Sequence, residues 1–64
     1  MMKVKLYGKA QTYVFVFKNV ISIKTTGIHT NANNSTITLK ILEDNKTKTV
    51  TRDANKYIIL EVED

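Results

Sequence analysis

The chain has 64 residues, no cysteine and a formal net charge of +4. This length allows one domain, residues 1–64, near the lower limit for independent folding, and no disulfide or cysteine-based zinc site can stabilise it. The longest apolar run, residues 13–17, is too short to cross a bilayer, and no secretory leader pattern precedes it. We therefore expect a small cytoplasmic domain without membrane association that gains stability by pairing with a copy of itself.

Runs of alternating apolar and polar residues predict five to six β-strands. A period of two places one side of each run against a core and the other side in water. In chain order, the predicted strands are Met2–Tyr7, Thr12–Lys18, Val20–Thr26, Ser35–Leu42, Thr47–Arg52 and Tyr57–Val62. The fifth is the most polar and is expected at a sheet edge.

The connections between these runs are short. Gly8–Gln11 is predicted to be a turn in which Gly8 takes a positive φ, and Glu43–Lys46 a four-residue hairpin loop. Lys18–Asn19 interrupts the alternation and predicts a bulge or corner. Asp53–Lys56 suits one helical turn capped by Asp53, and residues 27–34 form the one longer loop.

Short connections make consecutive strands antiparallel neighbours. The predicted fold class is therefore all-β, a small antiparallel barrel or meander sheet with one short helical turn before the last strand. This succession of a meander, a corner, a hairpin and a final strand resembles the small SH3-like barrels. The ligand-binding signature of peptide-binding SH3 domains and the motifs of Sm-type RNA-binding rings are absent, so neither activity is implied.

Four segments also resemble features of uncharacterised small all-β proteins from Gram-positive bacteria and their phages. Those proteins combine an aromatic strand, an Asn-Val-x-x-Ile step, a short hairpin and a closing Tyr-Ile strand. The corresponding segments here are Phe15–Phe17, Asn19–Ile23, Leu42–Thr47 and Tyr57–Ile58. The resemblance implies a phage or mobile-element origin and no particular activity.

The second predicted strand is apolar on both sides. A strand of this kind is normally covered on both sides, so we expect it at the centre of a barrel or at a subunit interface. We predict that Phe15 and Phe17 belong to the core and that the tyrosine hydroxyls reach its rim. One side carries Tyr13, Phe15 and Phe17, and the other carries Val14 and Val16.

The chain offers few groups for catalysis. His29 is the only histidine, there is no thiol, and the two glycines, Gly8 and Gly27, cannot form a phosphate-binding loop. The adjacent carboxylates Glu43 and Asp44 are explained by turn formation. We therefore predict no enzymatic activity, no cofactor and no metal site.

The positive charge is concentrated in residues 1–42, which carry +6, whereas residues 43–64 carry −2. Lysines on strand faces discourage edge-to-edge aggregation, but they also suit an acidic partner or a phosphate backbone. The predicted function is a non-catalytic protein-interaction module that forms a homodimer, or a phage or mobile-element accessory protein that binds a host protein. The alternative is a nucleic-acid-binding barrel that uses the lysine-rich N-terminal strands. The candidate partner-binding residues are Tyr13, Tyr57, Lys3, Lys5 and Lys18.

Overall fold

The computed structural model describes residues 1–27 and 35–64, which form a single antiparallel sheet. Its strands follow the order β4-β3-β2-β1-β5, and no helix occurs in the described residues, so none there could span a membrane. The all-β prediction is confirmed. The predicted loop, with His29, lies outside the described residues from residue 28 onwards. The strands are β1 Met2–Gly8, β2 Tyr13–Thr26, β3 Thr36–Glu43, β4 Lys46–Asp53 and β5 Tyr57–Glu63.

The strand β2 is a single bent strand of 14 residues that replaces the second and third predicted strands. Val4 pairs with Phe17 but Met2 pairs with Val20, so β2 has one extra residue at the predicted interruption. Asn19 in this bulge has a φ of 59°. A second irregularity, at residue 21, follows on the β3 side. The predicted bulge is confirmed. Because the bulge bends β2 without ending it, the second and third predicted strands are one strand, and the described part of the chain has five strands.

The β3–β4 hairpin is tighter than the sequence predicted. Glu43 pairs with Lys46, which leaves Asp44 and Asn45 as a two-residue turn. Both have positive φ, 52° and 64°, as a type I′ turn requires. The prediction of a four-residue loop is therefore wrong. The pairing of β3 with β4 extends to the tip of the hairpin, and Asp44 and Asn45, which tolerate positive φ, are enough to reverse the chain.

The segment before β5 is a hydrogen-bonded turn, and the predicted helical turn is not observed. The Lys56 amide donates to the Asp53 carbonyl oxygen at 3.0 Å, and the Asn55 amide donates to Asp53 Oδ1 at 2.8 Å. Asp53 therefore caps the turn, as the sequence indicated. Since the chain enters β5 at Tyr57, too few residues remain for a helix.

The core lies on the inner side of the bent sheet. Direct cross-strand pairs, such as Leu39 with Val50 and Val20 with Ile41, project to this same side. Phe17 packs against the core, as predicted, whereas Phe15 is only partly buried and lies outside the core cluster. The buried apolar residues are Val4, Leu6, Val20, Ile37, Leu39, Ile41 and Val50.

Candidate functional site

The outer side of β2, β1 and β5 carries apolar side chains in contact with solvent. Tyr7 pairs with Val14 on one side and Ile58 on the other, so these three side chains form a row across the sheet. The exposed fractions are 38% for Val14, 49% for Val16, 43% for Ile58 and 53% for Leu60. We call this surface the outer face and define it by Tyr7, Val14, Val16, Ile58 and Leu60.

Two ion pairs lie on the same side of the sheet as the outer face, and Lys5 is the direct cross-strand partner of Val16. Lys5 Nζ lies 3.2 Å from Glu61 Oε2, and Lys3 Nζ lies 3.5 Å from Glu63 Oε2. The hydrogen bond and the positive charge from Lys5 lower the pKa of Glu61 below its ordinary value. Exposed pairs of this kind contribute little stability. Their effect on the surface charge is larger, because each lysine is balanced by a glutamate and this part of the outer side is electrically neutral.

Both edges of the sheet carry features that hinder the addition of another strand. The edge strand β4 exposes Lys46 and Lys48, and lysine is a common protection of an open edge. The other edge, β5, has a bulge at Leu60, because Lys5 pairs with Glu61 while Leu6 pairs with Ile59. A bulge twists an edge away from flat pairing. Residues 13–19 of β2 also have no paired strand on the β3 side, because that pairing begins at Val20, so the open surfaces are this segment and the outer face beside it.

A second surface lies on the inner side, where β1 ends. The ring of Tyr13 meets that of Phe15 edge-on, with centroids 5.0 Å apart and planes at 75°, and Phe15 lies 6.0 Å from Tyr57. Gly8 forms the floor of this row, since an added Cβ would lie 3.0 Å from Phe15 Cε2 and 3.2 Å from Tyr57 Cε2. We call the row of Tyr13, Phe15 and Tyr57 the aromatic row.

Two cationic residues, Arg52 and Lys9, accompany the aromatic row. The Arg52 guanidinium lies 5.9 Å from the Tyr57 ring centroid and 6.0 Å from that of Phe17, within cation–π range. The Lys9 ammonium donates to the Asn55 carbonyl oxygen at 3.3 Å, and the Lys9 amide donates to the Lys56 carbonyl oxygen at 2.9 Å. Positive charge therefore lies beside the rings from Arg52 in β4 and from Lys9 in the turn between β1 and β2.

The five predicted site residues do not form one surface. Tyr13 and Tyr57 belong to the aromatic row, joined by Phe15. Lys3 and Lys5 lie on the other side of the sheet, where each is paired with a glutamate. Lys18 is exposed at the bulge of β2.

Sequence reasoning missed Arg52, Lys9, Ile58 and Leu60. Ile58 and Leu60 had a signal, because residues 57–60 are apolar at consecutive positions, as in β2. No sequence pattern indicated Arg52, since its position over the rings of Phe17 and Tyr57 depends on how the sheet bends.

Within residues 1–27 and 35–64 no group of three His, Cys, Asp or Glu side chains is arranged to hold a metal ion. Comparison with known proteins found no matching family model, no matching curated protein and no matching solved structure. The functional argument therefore depends on the outer face and the aromatic row.

Proposed function

We propose that this protein is a non-catalytic interaction module that self-associates through the outer face. The observation that carries the proposal is the exposure of Val14 and Val16, on the side of β2 opposite its inner aromatic side chains. Together with Ile58 they form a contiguous apolar surface on three neighbouring strands. Contiguous apolar surface of this kind is typical of interaction sites, because burying it removes unfavourable contact with water.

The expected affinity is modest. Full burial of one Val, Leu or Ile side chain contributes about 1.5–3 kcal/mol, and the outer face has four that are roughly half exposed. Two copies would gain on the order of 6–12 kcal/mol by covering them. Association itself costs about 4–15 kcal/mol, so we expect a dimer that dissociates in the micromolar range or above.

Charge favours a second copy as the occupant. The whole chain carries +4, which makes most approaches between two copies repulsive. The outer face is an exception, because Lys3 and Lys5 are balanced by Glu63 and Glu61. A two-fold arrangement places this neutral apolar surface against itself. A host protein of the kind that a phage accessory factor would capture is the other occupant that the same surface suits.

The alternative, nucleic-acid binding through Lys3 and Lys5, receives less support. Both ammonium groups already interact with carboxylates, and a phosphate would have to displace them or lie beside their negative charge. The lysine-rich character of β1 is therefore better explained by pairing with β5.

Sedimentation equilibrium between about 10 and 500 μM tests the proposal, a range chosen from the expected affinity. We expect the wild type to become dimeric as concentration rises and Val16→Lys to remain monomeric, since it places an unpaired charge in the apolar surface. The control is Thr49→Lys, which adds the same charge at an exposed position of β4. A wild type that stays monomeric throughout, or equal loss of the dimer in both variants, contradicts self-association through this face.

A further inference from the structure

The aromatic row is separate from the outer face and has its own chemistry. Tyr13 is 61% exposed, and at this end of β2 only β1 is paired with it, since the pairing with β3 begins at Val20. The pairing partner of Tyr13 is Gly8, which has no side chain to cover it, and Tyr57 pairs with Gly8 from the other side. Gly8 thus allows the rings of Tyr13 and Tyr57 to lie close together on the inner side of the sheet. It also leaves the Tyr13 ring open to solvent.

Arg52 adds a group that suits a phosphate. A guanidinium lying over aromatic rings keeps N–H groups at its edge available for hydrogen bonds. Among the described residues, Arg52 donates one recorded hydrogen bond, from Nη1 to the Thr51 carbonyl oxygen at 3.0 Å. Lys9 brings further positive charge, since its ammonium group donates to the Asn55 carbonyl oxygen in the turn before Tyr57.

The acidic residues are mostly distant from this end. Glu43 and Asp44 lie at the β3–β4 hairpin, at the opposite end of β4 from Arg52. Glu61 and Glu63 are paired with lysines on the outer face. Asp53 is the nearby carboxylate, and its Oδ1 accepts the Asn55 amide. Arg52 and Lys9 against the one carboxylate of Asp53 leave the surroundings of the rings net positive.

We propose that the aromatic row together with Arg52 and Lys9 binds single-stranded nucleic acid. The exposed ring of Tyr13, with the partly buried rings of Phe15 and Tyr57 beside it, offers a stacking surface to a base, and the cations neutralise adjacent phosphates. An acidic peptide would use the cations, but it has no planar groups that would require the exposed Tyr13 ring beside Phe15. The combination of rings and cations therefore favours the nucleic acid. This proposal does not depend on self-association, since the outer face lies on the other side of the sheet.

Fluorescence anisotropy with a labelled twelve-nucleotide oligothymidylate at low salt tests this inference. Tyr13→Ala should weaken binding about 5- to 150-fold, the range of one base–aromatic stack, and Tyr13→Phe should retain it. Arg52→Gln should also weaken binding and should lower the slope of log affinity against log salt by about 0.7, one phosphate contact on a single strand. Tyr13 is exposed, so its replacement should leave the fold intact, which circular dichroism checks.

The matched control is Lys48→Gln, which removes the same charge from β4 at a position away from the rings. We expect it to change the affinity less than twofold. Absence of oligothymidylate binding at low salt overturns the proposal, as does equal loss in Arg52→Gln and Lys48→Gln. Unchanged binding in Tyr13→Ala, or displacement by polyglutamate as effective as by unlabelled oligonucleotide, shows that charge alone is recognised and also overturns it. Val16→Lys, which tests the dimer, should bind the oligonucleotide like the wild type.

Discussion

The structural role of Gly8 could not be predicted from its residue type alone. The sequence predicted a turn glycine with positive φ, and this is wrong, because Gly8 is the last residue of β1 and Thr12 takes the positive φ of 48°. The function of Gly8 is to provide space for the rings of Phe15 and Tyr57. A contact between residues this far apart in the chain leaves no local pattern from which it could be predicted.

Gly8→Ala should therefore destabilise the fold. The new methyl group would lie 2.5 Å from Gln11 Oε1, at the end of a flexible side chain that can move, and 3.0 Å from Phe15 Cε2, and overpacking of this kind costs about 1–3 kcal/mol. Urea unfolding measures the change in the free energy of unfolding. Thr49→Ala, at an exposed position of β4, is the control and should change it by less than about 0.5 kcal/mol. A Gly8→Ala protein as stable as the wild type would show that the rings do not need this space.

Glu61 should make the stability depend on pH through its pair with Lys5. Its pKa in the folded protein is lowered from the ordinary 4.5, so the pair stabilises fully above pH 4.5 and is lost as the pH falls through the folded value. The melting temperature of Glu61→Gln should lie below that of the wild type at pH 7 and equal it near pH 2. Glu43→Gln, at the hairpin, is the control. A difference in melting temperature that persists at pH 2 would show that the effect comes from packing and not from the ion pair.

At the scale of elements, strands could be predicted from the alternation of side chains, and their connections only in part. The bulge at Asn19 was visible because Lys18–Asn19 shifts the phase of the apolar residues. The bulge at Leu60 could not be predicted, because residues 57–60 are apolar at every position. This segment has no alternation of apolar and polar residues that a bulge would interrupt. The apolar character of Val14 and Val16 was therefore visible in the sequence, but no residue of the outer face was among the predicted partner-binding residues.

The β1–β2 turn should be improved by replacing Thr12. A β-branched residue with a φ of 48° is strained by about 1–2 kcal/mol relative to glycine. After the greater chain entropy of glycine is subtracted, Thr12→Gly should raise the free energy of unfolding by about 0.5–1 kcal/mol. The control is Thr47→Gly, an exposed position in β4, which should lower it by a similar amount. A loss of stability in both variants would mean that the Thr12 side chain stabilises the turn.

The whole molecule depends on a small core. Seven buried apolar side chains on one side of a bent sheet support the described fold, and Leu39 is fully buried among them. Leu39→Ala should cost about 2–5 kcal/mol, enough to unfold much of so small a domain. Circular dichroism at 25 °C measures the folded fraction. Leu60→Ala, at an exposed position on the outer face, should remain folded. Equal effects of the two substitutions would contradict the division into a core and an interaction surface.

That division is the central claim: the inner side of the sheet supports the fold, and we propose that the outer side of β2, β1 and β5 binds a second copy. A concentration series of amide NMR spectra, from about 20 to 500 μM, tests it most directly within the expected affinity range. Concentration-dependent shifts should be largest in β1, β2 and β5, at the outer-face residues, and absent from the exposed positions of β4 around Thr49. Spectra that do not change with concentration, or shifts centred on β3 and β4, would contradict it.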